Sequence, residues 1–158
     1  MKMPCFLFIL LILSSLQACK SKENSFVSTF QDDVFIFGYF NDICGGNCTQ
    51  IFLIQNGKLY PDAMDRFKSP PVFSAIPLSD ELYSKALPAI EQFPQSLLTE
   101  VNTGFGCPGC VDQGILYVAK EIDGKLVYWH LDPQTTALPS ALQAYGQLLS
   151  DILSQMPE

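Results

Sequence analysis

The order of apolar and polar positions divides this chain into a leader, a short polar stretch and one folded region. Residues 5–13 (CFLFILLIL) form an unbroken apolar run of nine, preceded by a single cation, Lys2, and followed by the small and polar residues 14–18. A helix needs about 20 apolar residues to cross a bilayer. Nine residues with these flanks therefore read as an export signal over residues 1–18, not as a permanent span. Residues 20–28 (KSKENSFVS) are polar, so residues 19–32 read as a tether. The folded region is expected from residue 33 to residue 158.

Within that region, residues 34–40 (VFIFGYF) are aromatic and β-branched and read as a buried strand. Residues 51–60 alternate around Asn56-Gly57, a dipeptide suited to the two positive φ angles of a type I′ hairpin turn. This register puts Ile51, Leu53 and Tyr60 on one face and Phe52, Ile54 and Leu59 on the other. Residues 61–71 read as loop and residues 72–77 as a short strand. Ser79 is placed to cap a helix, with Asp80 and Glu81 at its positive end. Leu82, Ala86, Ile90 and Phe93 continue it at helical spacing. Pro88 is expected to kink or break this helix, and Pro94 to end it.

A second hairpin over residues 115–131 turns at Asp123-Gly124. It directs Leu116, Val118, Ile122, Val127, Trp129 and Leu131 to one face, expected to be core. Tyr117, Glu121, Tyr128 and His130 lie on the other. Residues 140–155 are amphipathic, with Leu142, Tyr145, Leu149, Ile152 and Leu153 as the apolar stripe. Tight hairpins make an antiparallel sheet, and the middle and C-terminal helices are expected to pack on one face of it. The class is α+β.

The leader ends in Leu16-Gln17-Ala18-Cys19, which resembles a bacterial lipobox: a small residue before a cysteine, with an aliphatic residue two places further back. The resemblance implies cleavage before Cys19 and diacylglyceryl lipid on its sulfur, with palmitate-type acyl chains holding the polypeptide at a membrane surface. Two buried acyl chains, at about 0.8 kcal/mol per methylene, anchor stably. Lys20 stands where an Asp would retain many lipoproteins at the inner membrane. The expected place is thus the cell envelope, with the outer membrane favoured and the periplasmic or surface face left open.

Cleavage would leave 140 of 158 residues, enough for a core. The precursor carries −7, and losing Lys2 makes the mature chain −8. That acidity argues against a nucleic-acid partner.

Of six cysteines, Cys5 belongs to the leader and Cys19 to the lipobox. The other four form two close pairs, Cys44/Cys48 and Cys107/Cys110, each in a Gly-containing loop ahead of a predicted strand. An exported chain with an even count favours disulfides, within or across the pairs. The alternative cofactor is one zinc ion held by all four thiolates, since Cys-Pro-Gly-Cys is a tight turn able to aim two sulfurs at one tetrahedral centre. In a third reading Cys107/Cys110 is a redox pair, although no helix N-terminus is predicted there to acidify its first cysteine. His130, the only histidine, reads as an ordinary sheet residue. Asp42 and Asp112 flank the loops and read as turn or surface carboxylates. No catalytic constellation is recognisable.

From Asp33 onward the chain is similar to small lipoproteins of the Bacteroidota. The similarity rests on the aromatic strand with its cysteine loop and the hairpin ending Lys58-Leu59-Tyr60-Pro61-Asp62; on Phe93-Pro94 with Leu97-Leu98; and on Gly106-Cys107-Pro108-Gly109-Cys110-Val111-Asp112-Gln113-Gly114 with Trp129-His130-Leu131-Asp132. The resemblance implies a single domain on a lipid anchor. It brings no assigned activity and no catalytic residues. The function expected is a non-catalytic binding or structural module of the envelope, with a thiol-redox or zinc-handling protein as the alternative.

Overall fold

The computed structural model describes residues 34–157. The leader, the lipobox, Cys19, the tether, and the end residues Asp33 and Glu158 of the expected domain lie outside the described residues. Among the described residues no helix is long and apolar enough to cross a membrane.

The fold of the described residues is α+β: a six-stranded, mostly antiparallel sheet with two α-helices. Strand β1 (Phe35–Phe40) is central, flanked by β2 (Thr49–Gln55) and β5 (Ile115–Ile122), both antiparallel to it. Strand β3 (Lys58–Pro61) lies outside β2. On the other side, β6 (Lys125–Leu131) follows β5, and β4 (Thr103–Phe105) closes the edge, giving the order β3-β2-β1-β5-β6-β4. Both tight turns have the expected chemistry. Asn56 and Gly57 have φ of 50° and 68°, and Asp123 and Gly124 have φ of 51° and 72°, so both central residues of each turn are left-handed.

Period-2 alternation sorts the strands into two apolar faces. Phe35, Phe37, Phe52, Ile54, Leu59, Leu116, Val118, Trp129 and Leu131 face the helices α1 (Asp80–Glu91) and α2 (Ser140–Leu153). Ala86 and Ala89 of α1, and Leu142, Tyr145, Leu149, Ile152 and Leu153 of α2, complete that core. Both helices therefore pack on one face, in the middle and at the end of the chain. Burying a large apolar side chain contributes about 1.5–3 kcal/mol, which makes this face the main source of stability. The buried Tyr145 hydroxyl donates to the Ala89 carbonyl at 2.7 Å, tying α2 to α1. Its burial raises the phenol pKa.

Ile36, Phe40, Ile51, Leu53, Tyr117 and Ala119 point to the opposite face. There the long connection after β3 covers them with Met64, Phe67 and Phe73. Phe67 stacks on Phe40 with ring centroids 4.0 Å apart.

Three local expectations are corrected. Pro88 does not break α1, which continues to Glu91. Proline removes its own N–H and crowds the carbonyl four residues back, yet the Pro88 carbonyl still accepts from the Gln92 N–H at 3.0 Å, within the last turn. Residues 72–77 form no strand, only an isolated bridge between Asp62 and Phe73. Strand β4 runs parallel to β6, in a stretch where no strand was expected.

Candidate functional site

The register gathers both cysteine loops at one end of the sheet. Phe40 ends β1 opposite Thr49, where β2 starts, and opposite Ile115, where β5 starts. Residues 41–48 link the first pair of strands. Residues 106–114 run from β4 into β5 alongside them. The Asn56-Gly57 and Asp123-Gly124 turns occupy the other end.

In the first loop, Cys44 is bonded to Cys48, with Cα atoms 5.7 Å apart. Cys48 is buried, at 5% exposure. The backbone around the bond is knitted into the sheet. The Asn41 N–H donates to Cys48 O, and the Cys48 N–H donates to Asp65 O, both at 2.9 Å. Asn41 Oδ1 accepts from the Ile43 N–H at 2.9 Å, the side-chain turn that Asn favours. Asp62 braces the neighbouring strand, accepting from the Ile51 N–H at 2.7 Å and the Met64 N–H at 3.0 Å.

In the second loop, Cys107 is bonded to Cys110, with Cα atoms 5.5 Å apart. Cys107 is exposed and Cys110 half-buried. This loop hangs from one carboxylate. Asp132, 2% exposed, accepts from the Cys107 N–H at 2.9 Å, from Gln113 Nε2 at 2.8 Å and from the Gln134 N–H at 2.8 Å. Two glycines permit the path. A Cβ on Gly106 (φ 77°) would lie 2.6 Å from Asp132 Cβ, and one on Gly114 (φ 74°) would strike the Tyr39 ring. The Tyr39 hydroxyl donates to Gln113 O, and Asn41 Nδ2 donates to Asp112 O, each at 3.0 Å, joining the two loops.

Pairing is thus within each loop, not across them. Sequence separations of 4 and 3 close very small rings. In the loop-entropy model each contributes about 2 kcal/mol, roughly half of what a cross-link between the loops would give. As disulfides, the four sulfurs are not the thiolates that zinc takes. Among the described residues no group of three or more Cys, His, Asp or Glu side chains is assembled as a metal site. Cys107 does not open an α-helix. A short 3₁₀ turn, Cys110–Asp112, starts at its partner, behind a left-handed Gly109.

His130 lies on the loop-covered face, 5.0 Å from the Tyr128 ring and 5.8 Å from those of Phe40 and Tyr117. Burial lowers its pKa, opposed by the charge of Asp42. Asp42 and Asp112 are exposed.

Open clefts surround the cysteine-loop end. One of about 430 Å³ is lined by Asn47, Thr49, Gln50, Asp62, Asp65 and Pro157, among others. Another, of about 330 Å³, runs along Tyr39, Asn41, Cys44 and Cys48. Gln50 borders both and donates to the carbonyls of Leu153 at 3.1 Å and Pro157 at 3.3 Å. Sequence reasoning named the four cysteines but missed Asp132, Gln50 and Tyr39. For Asp132 the signal was a lone acid directly after an apolar strand, uninformative until the loop that it holds is known.

Compared with known proteins, the chain matches no family model, no curated protein and no solved structure.

Proposed function

We propose that this chain is a lipid-anchored protein of a bacterial envelope, cleaved before Cys19 and acting as a non-catalytic binding or structural module. The observation that carries this reading is the leader ending in Leu16-Gln17-Ala18-Cys19. The two disulfides support it independently, because such bonds persist in oxidising, exported compartments. Lys20 favours the outer membrane as its place. The clefts beside the cysteine loops are the surface offered for binding, where hydrogen-bonding side chains such as Asn47 and Gln50 stand among apolar ones.

The test is to express the full chain in a bacterial envelope with an alkyne-tagged fatty acid and to determine the mass of its N-terminal peptide. Label on Cys19, lost in Cys19→Ala together with membrane retention, is the expected result. An unlabelled chain beginning elsewhere would overturn the proposal. The second reading, a thiol-redox or metal-handling protein, is favoured in its redox half by one observation: the Cys-x-x-Cys disulfide has an exposed sulfur-bearing residue.

A further inference from the structure

We infer that the Cys107–Cys110 disulfide is a thiol-exchange site whose substrate class is a dithiol, and that Cys107 is the sulfur attacked first. The Cys44–Cys48 disulfide is static. This rests on the second, thiol-redox reading and deepens it by naming the substrate class, and it does not depend on lipid at Cys19.

Two observations support it. Exchange needs an in-line approach to a sulfur; Cys107 is exposed, whereas in the first loop Cys44 is half-buried and Cys48 buried. The second loop is also held by hydrogen bonds that do not involve its sulfurs. Asp132 holds the Cys107 N–H and Gln113, the Gly109 N–H donates to Gly114 O at 3.2 Å, and the Asp132 N–H donates to Phe105 O at 3.1 Å. The bond can therefore open and close while its surroundings stay in place.

A thiolate of the dithiol attacks Cys107 Sγ, forming a mixed disulfide. The Cys107–Cys110 bond breaks, and Cys110 leaves as a thiolate that takes a proton from water. The second thiol of the dithiol loses its proton and attacks its own mixed-disulfide sulfur. It closes the dithiol's disulfide and releases Cys107, which is protonated in turn. Two electrons pass from dithiol to protein.

The test uses the full chain, extracted from membranes in detergent, with dithiothreitol and a reduced two-cysteine peptide as parallel probes. Samples are quenched with iodoacetamide at intervals and mapped by peptide mass. Cys107 and Cys110 should be alkylated about tenfold sooner than Cys44 and Cys48. Opening by both probes assigns an open site, and opening by dithiothreitol alone assigns one that takes small dithiols. Equal rates for the two pairs, or opening of either only after denaturation, would overturn the inference. Folded Cys110→Ser should form a stable adduct with cystamine at Cys107, faster than Cys107→Ser forms one at Cys110; the reverse order would overturn the assignment of the attacked sulfur. Wild-type mapping decides the main point even if neither variant folds.

Discussion

The two cysteine loops share a composition and an end of the sheet, yet they are held in opposite ways. The first, residues 41–48, is woven into its neighbours by main-chain bonds through Asn41, Cys48 and Asp65, with its second sulfur-bearing residue buried. The second, residues 106–114, is suspended from the side chain of Asp132, and its disulfide faces outward. A loop held by backbone tolerates side-chain change and keeps one end of its disulfide buried. A loop held by one carboxylate depends on that residue and leaves its disulfide reachable. The difference lies in the supports, since the cysteine spacings differ by one residue.

The two loops should differ most when each support is removed. Asp132→Ala strands three donors around a buried site, and should cost about 4 kcal/mol by the usual worth of hydrogen bonds to a charged group. Asp65→Ala, which leaves the accepting carbonyl in place, should stay within about 0.5 kcal/mol. Denaturant unfolding measures both, and equal losses would erase the distinction. Next come the glycines. Gly114→Ala places a methyl group against Tyr39 at positive φ and should cost about 3 kcal/mol. Gly46→Ala, at φ 118° with open space around it, should cost about half as much.

Removing the disulfides separates the loops less. Cys107→Ser with Cys110→Ser should lose about 2 kcal/mol of loop-closure entropy. Cys44→Ser with Cys48→Ser should lose about 1 kcal/mol more, because a hydroxyl then replaces the buried Cys48 sulfur. Thermal melts of the two double variants check this ordering.

The smallest effect is a pH dependence. Burial holds His130 below its ordinary pKa of 6.5 in the fold. The unfolded chain therefore binds the proton first as pH falls, and stability drops below pH 6.5, until pH passes the folded value. His130→Gln should flatten that part of the stability-versus-pH curve. The slope is modest because the ring is only half-buried and Asp42 opposes the shift.

Much of this frame was legible in the sequence because its signals are local. Asn56-Gly57 and Asp123-Gly124 fixed two hairpins and, through period-2 alternation, which residues line each face. Ser79 and the spacing of Leu142, Tyr145 and Leu149 marked the helices, and Ser79 Oγ does accept from the Leu82 N–H. Strand β4 was not legible. Three residues around Gly104 carry no periodicity, and their strand character comes only from pairing with β6. The four cysteines were readable as candidates, but their pairing was not, since three connectivities fit the same spacing. Asp132 was invisible for a related reason: its role depends on Cys107 and Gln113, which are 25 and 19 residues away.

The direction of β1 has a consequence for how the molecule is displayed. The chain enters the described fold at Val34, beside the two tight turns, and β1 then runs six residues to Phe40, where the cysteine loops lie. At about 3.3 Å per residue, that separates the point of entry from the loops by about 20 Å. The short turns therefore stand at the end where the described chain begins, and the exposed residue Cys107 stands at the opposite end, where a reactant can approach it clear of that point of entry.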